Sequence, residues 1–531
     1  MSRSTRIIAL VVVAALVVGG AAVGLVAAFT GTGMDLPGRD ERAIAPTTRP
    51  QPGSGTPPSA ALKRFYGQTL AWAPCDGRFG AQEGSDQECA ELTVPVDYRR
   101  PAGATTRIAV LRVPASDPAR RIGSLVVNPG GPGAPGTGYA ATADLAFRPD
   151  LRQRYDIVGF DPRGTGASDP VDCLDDRQLD AFLSADPDPD TAQEATAAVR
   201  SYRHFFTGCL QRSDALVRHV TTVETARDVD VLRSALGESR LTYFGASYGT
   251  KLGATYADLF PTRVGRLVLD GAVDVSLGPL ELGLGQAGGF ETALRAYVAD
   301  CVKSATCPIG RTVPEGLARI RTLILDADAK PLTSDSDRPV TEGLAFLGLI
   351  TPLYNRDYWP LLTQSLALAV TGDGRALQRL ADVYSSRNPD GTYADNSAEA
   401  ILAINCLDDP RSYDPAQIRA LTPRFEQASP TLGRIFAWSL LSCRGVQTKA
   451  TERDDSITAK GAAPILVVGT TRDPATPYAW AVSLARQLES GVLLTRDGDG
   501  HTGYNAGNAC VDSTVEAYLI DGTVPKDGKR C

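Results

Sequence analysis

The segment Leu241-Thr242-Tyr243-Phe244-Gly245-Ala246-Ser247-Tyr248-Gly249 joins a short apolar run to a G-x-S-x-G turn. The apolar run reads as a buried strand. Residues 250–259 continue as a helix, with Leu252, Tyr256 and Leu259 on one face. Strand, tight turn and helix form the context in which G-x-S-x-G is a nucleophile elbow, with Ser247 at the point of the turn. Small residues at 245 and 249 let the flanking backbones approach each other. The competing reading is a glycine-rich turn that merely contains a serine, and the remainder of the chain argues against it.

Strands alternating with helices surround the turn. Residues 107–113 alternate as a strand, and 123–127 form an apolar strand ending in Asn128-Pro129-Gly130-Gly131-Pro132-Gly133. Another strand at 155–160 runs into Asp161-Pro162-Arg163-Gly164-Thr165-Gly166. Residues 221–236 read as an amphipathic helix, with Ala226, Val229, Leu232 and Leu236 on one face and a capping box formed by Thr221 and Glu224. A strand at 264–269 ends at Asp270-Gly271. The pattern then turns helical, with candidate helices at 290–302, 315–325, 341–353, 361–370 and 398–404. Strands resume at 464–469 and 491–495, and a helix at 511–520 closes the chain. This predicts an α/β fold with a mostly parallel sheet, covered on both faces and carrying a large helical cap inserted before the last strands.

Chain order supplies the partners of the serine. An elbow serine expects an acid and then a histidine downstream, at the ends of the last strands. The chain has three histidines, and His204 and His219 precede the elbow. His501, flanked by glycines after the last predicted strand, is therefore the expected base. Asp473, in Thr470-Thr471-Arg472-Asp473-Pro474, is the expected acid. Asp497 and Asp499 lie too close in sequence to His501 to reach the far side of its ring. The oxyanion requires preorganised donors, here the amide of Tyr248 and one from the 128–133 loop, assigned to Gly131. That loop has neither G-K-[ST] nor G-x-G-x-x-G, so a phosphate-binding reading is weak. No metal or other cofactor is expected.

Residues 1–30 read as a signal peptide or an N-terminal anchor. Arg3 and Arg6 precede an uncharged run, 7–29, that exceeds the usual signal core and is long enough to span a bilayer. Residues 31–60, rich in Pro, Gly, Thr and Ser, read as a disordered linker. Ten cysteines follow it, an even number that fits disulfides in an oxidising compartment. Connectivity is open, and pairing of neighbours is the simplest arrangement. An exported protein, secreted or held at the cell envelope, is the expectation. A net charge of −7 without a basic cluster argues against a nucleic-acid partner. The expected organisation is a core at 61–274 and 461–531 with a cap at 275–460.

Together, the 128–133 loop, Asp161-Pro162-Arg163-Gly164-Thr165-Gly166-Ala167-Ser168, the elbow, Gly469-Thr470-Thr471-Arg472-Asp473, Gly500-His501 and Ala403-Ile404-Asn405-Cys406-Leu407-Asp408 resemble the secreted tripeptidyl aminopeptidase group of actinobacterial α/β-hydrolases, related to proline iminopeptidase. Two positions depart from the wider pattern. Asn128 stands where proline iminopeptidases carry His, as in the tripeptidyl group, and Ala134-Pro135 stands where Gly-Ser is expected. The resemblance implies an α/β-hydrolase fold and a serine peptidase releasing tripeptides from free peptide or protein N-termini through an acyl-enzyme on Ser247. An exported carboxylesterase or lipase using the same three residues is the alternative. An aminopeptidase must bind a protonated amine, for which Asp408, Asp409 and Glu291 are the cap carboxylates to consider.

Overall fold

The computed structural model describes residues 57–447 and 457–531. The signal or anchor segment and nearly all of the linker lie outside the described residues. Among those described, no helix is long and apolar enough to cross a membrane.

Ten strands form one sheet: β1 (Ala73–Pro74), β2 (Glu88–Pro95), β3 (Thr105–Val113), β4 (Gly123–Asn128), β5 (Tyr155–Phe160), β6 (Leu241–Ala246), β7 (Val264–Asp270), β8 (Ile465–Arg472), β9 (Gly491–Asp499) and β10 (Lys529–Arg530). Their order is β1-β2-β3-β5-β4-β6-β7-β8-β9-β10. β1, β2 and β3 pair antiparallel, as do β3 and β5, and every pairing from β5 to β10 is parallel.

Period-two alternation sorts the parallel strands into two cores. Leu241 and Tyr243 of β6, with Ile465 and Val467 of β8, enter the core on one face. Phe244 and Ala246, with Leu466 and Val468, enter the core on the other. Burial of both faces explains why these strands read as nearly continuous apolar runs.

Between β7 and β8 the chain leaves the sheet for helices running from Pro279–Cys301 to Gly433–Trp438, with a core of their own that includes Phe290, Leu349, Leu362, Phe425 and Phe436. This is the predicted helical cap, and it contains helices that the pattern did not mark, Arg375–Tyr384 and Pro415–Ala428.

All ten cysteines pair as neighbours: Cys75–Cys89, Cys173–Cys209, Cys301–Cys307, Cys406–Cys443 and Cys510–Cys531. The predicted capping box forms only in half. The Thr221 hydroxyl accepts from the Glu224 amide at 3.1 Å. The Glu224 carboxylate does not return the bond; it lies 3.8 Å from both Arg163 Nη1 and His219 Nδ1.

Candidate active site

The elbow is built as its sequence requires. Ser247 adopts φ 56° and ψ −124° between β6 and the helix Tyr248–Leu259. Such a conformation costs a non-glycine residue roughly 1–3 kcal/mol and persists only where the surroundings fix it. Here the Ser247 amide donates to Asp270 O at 2.9 Å, and its carbonyl accepts from the Thr250 hydroxyl at 2.6 Å. Gly245 and Gly249 are small because the turn closes on itself: a Cβ on Gly245 would lie 2.3 Å from the Gly249 carbonyl oxygen. The amides at the start of this helix carry the positive end of its dipole, beside the serine.

The glycine loop packs directly against the elbow. A Cβ on Gly130 would lie 2.8 Å from Ser247 Cβ and 3.0 Å from the Tyr248 nitrogen. The Asn128 side chain shapes the loop by accepting from the Gly130 amide at 3.0 Å. Both predicted oxyanion donors, Gly131 and Tyr248, thus belong to segments in contact at the serine. The Tyr248 side chain points away from any such role, since its hydroxyl bonds to Thr222 at 2.7 Å.

His501 and Asp473 meet as predicted. His501 Nδ1 lies 2.9 Å from each Asp473 oxygen. Asp473 also accepts from the amides of Ala475 (3.0 Å), Thr476 (2.8 Å) and Thr502 (3.2 Å), so its carboxylate is held from several sides. His501 Nε2 is buried and makes no hydrogen bond to Ser247 or to any other described residue. Such bonds commonly tighten only when substrate binds. Ser247 and His501 converge on the C-terminal end of β7: the serine amide bonds to Asp270, and a Cβ on Gly271 would lie 3.1 Å from His501 Cε1. Asp497 and Asp499 pair instead with Arg472.

Burial pushes the His501 pKa down, but the charge and hydrogen bond of Asp473, with the charge of Asp270, outweigh it and raise the pKa above its ordinary value. Asp270 was not singled out from the sequence. Fully buried, it accepts from the Gly503 and Tyr504 amides, both at 2.8 Å, and so fixes the chain just after His501. Burial pushes its own carboxyl up to about 6. The one available signal was its place at a strand end before a glycine.

The Asp161–Ser168 motif is scaffolding. Asp161 accepts from the Thr137 amide and hydroxyl and from the Ala167 amide, tying the helix after the glycine loop to β5. Arg163 is fully buried in a two-toothed pair with Asp228, at 2.6 and 2.7 Å. Removing one partner of such a pair typically costs about 3–5 kcal/mol.

The cap touches the acid, the base and the glycine loop. Its first helix packs on the acid, where a Cβ on Gly289 would lie 2.5 Å from the Pro474 carbonyl oxygen. Tyr354 accepts from the His501 amide at 2.7 Å and sets its ring edge-on to the imidazole at 5.5 Å. The helix Ser397–Asp408 meets the glycine loop, where a Cβ on Gly133 would lie 2.8 Å from Ala400 Cβ. The three cap carboxylates considered from sequence all have partners. Asp408 pairs with Lys251 at 2.6 Å and Asp409 with Arg411. Glu291 pairs with Arg295 and accepts from Ser429.

Sheet order, elbow and inserted cap define an α/β-hydrolase. A family model described as TAP-like protein matches residues 429–531, the stretch that contains Asp473 and His501. The chain is 38% identical over 479 residues to the serine protease Hip1 of Mycobacterium tuberculosis, covering 88% of this chain and 91% of that protein. It is 38% identical over 490 residues to carboxylesterase B of the same organism, covering 91% and 93%. To the tripeptidyl aminopeptidase of Streptomyces lividans it is 33% identical over 459 residues, covering 84% and 83%. The chain belongs to the TAP-like family of α/β-hydrolases and is a serine hydrolase by class.

Proposed function

We propose that this chain is an exported aminopeptidase that releases tripeptides from free N-termini through an acyl-enzyme on Ser247. The observation that carries the catalytic assignment is the His501–Asp473 pair: Nδ1 is held at 2.9 Å by a fixed carboxylate while Nε2 stays unbonded. Nε2 takes the Ser247 proton as Oγ attacks the scissile carbonyl, and the tetrahedral oxyanion accepts from the Gly131 and Tyr248 amides. The intermediate collapses as His501 passes that proton to the leaving amine. Water then attacks the acyl-enzyme by the same route and frees Ser247. Asp473 keeps the proton of the neutral ring on Nδ1 and stabilises the imidazolium.

The peptidase reading rests on relatives named tripeptidyl aminopeptidase and serine protease. Export is supported by the charged and apolar N-terminal sequence and by ten paired cysteines. A carboxylesterase is the second reading, favoured by the partners already held by Glu291, Asp408 and Asp409. Assays of tripeptide anilides, single amino-acid anilides and short p-nitrophenyl esters separate the two. N-acetylating the tripeptide removes the charge an aminopeptidase recognises, a loss of roughly 2–5 kcal/mol when a buried partner is left unpaired. Turnover of the acetylated peptide is expected to fall about 30-fold or more at equal concentration. Equal rates on free and acetylated peptide point to an endopeptidase or a general esterase instead.

A further inference from the structure

The sequence Ala185-Asp186-Pro187-Asp188-Pro189-Asp190 lies between the helices Asp176–Leu183 and Ala192–Val217, ahead of the elbow and far in sequence from the cap. In the fold the cap comes down onto it. The helix Glu342–Ile350 starts so close that a Cβ on Gly343 would lie 2.6 Å from the Ala185 carbonyl oxygen and 3.0 Å from that of Leu183. Asp328, in the last turn of the helix Val313–Ala329, reaches the same place. One oxygen each from Asp186, Asp328 and Glu342 all lie within 4.8 Å of one another. Two oxygens bound to one calcium at 2.3–2.6 Å are at most about 5 Å apart, so these spacings are compatible with one shared ion.

The charges gathered there are unbalanced. Glu342 is 1% exposed, no N–H or hydroxyl donates to either of its carboxylate oxygens, and the side chain bonded to it is another acid, Asp188. The adjacent Thr341 hydroxyl is buried and unpartnered as well. The neighbouring cation, Arg434, is committed to Asp188 and Asp190. Among the described residues no ion pair reaches Asp186, Asp328 or Glu342. A buried carboxylate packed against other acids without a counter-ion of its own is costly, and a bound cation removes that cost.

We propose that Asp186, Asp328 and Glu342 form a calcium site that staples the cap to the core. An all-oxygen carboxylate set without His or Cys selects a hard cation over zinc or copper. The ligands come from three separate segments, and this irregular set suits calcium's flexible coordination better than magnesium's strict octahedron. The site is separate from Ser247 and its partners, and its part is to hold the cap in place.

The test uses the full-length protein stripped with EDTA and dialysed. Equilibrium dialysis against calcium chloride at about 2 mM is expected to show roughly 0.7–0.95 ion bound per chain, for a Kd of about 10⁻⁴–10⁻³ M, the range of weak extracellular sites. The thermal midpoint is expected to rise by about 1–2 °C on adding calcium at roughly twenty times its Kd. Glu342→Gln should lose the bound ion and the thermal response together. Because Glu342 is buried, Asp328→Asn at an exposed position is the second variant, and it should weaken binding about 10-fold or more. Absence of saturable calcium binding by the folded wild type overturns the site. So does wild-type affinity in both folded variants.

Discussion

Ser247→Ala is expected to lower kcat by at least ~10³-fold while the protein remains folded. In the proposed mechanism the hydroxyl forms the acyl-enzyme, and alanine leaves the carbonyl and amide contacts of the elbow in place. These are the bonds to Asp270 and Thr250 that hold the backbone at φ 56°. Any residual rate belongs to the oxyanion donors and to binding. Kinetics on a tripeptide anilide, with circular dichroism and thermal melting to check folding, make the measurement. A variant as active as the wild type removes Ser247 from the mechanism.

Asp473→Asn is expected to cost about 10³–10⁴-fold in kcat, with little change in the fold. Asp473 Oδ1 accepts from the amides of both Ala475 and Thr476, and Oδ2 accepts from that of Thr502. An asparagine therefore keeps its oxygen toward the paired amides and turns its NH₂ toward the ring and Thr502. The ring must then accept at Nδ1 and carry its proton on Nε2, where it cannot take one from serine. The pH profile adds a signed check. The Asp473 carboxylate raises the His501 pKa, and activity needs the neutral ring, so the acid limb of kcat/KM should move to lower pH in the variant. Asp270 remains nearby and limits the size of that move. A limb that moves upward contradicts the assignment.

The legible parts of the chain were those with a local signal. β6, the elbow and its helix show strand, turn and helix in nineteen consecutive residues, and the structure places them at Leu241–Ala246 and Tyr248–Leu259. Asp473 and His501 follow from chain order, because each sits just past a strand whose apolar run is plain. β2 was missed because Glu88–Pro95 mixes polar and apolar residues in an antiparallel strand. The helix Pro415–Ala428 was missed because Pro423 lies within it, where a proline ordinarily argues against helix. The insertion of β5 between β3 and β4 has no local signature. Nor do the contacts that complete the site, such as Tyr354 on His501 and Asp270 under the following loop. They join residues more than a hundred positions apart, and no period or spacing in one sequence marks them.

Covalent labelling is the most direct test of a nucleophilic Ser247 activated by His501. Purified protein treated with a fluorophosphonate and mapped by peptide mass spectrometry should carry one adduct per chain, on Ser247. Activity should fall in proportion to that adduct, and His501→Ala should label far more slowly. Full activity after excess reagent, or inactivation with the adduct on another residue, would contradict the assignment.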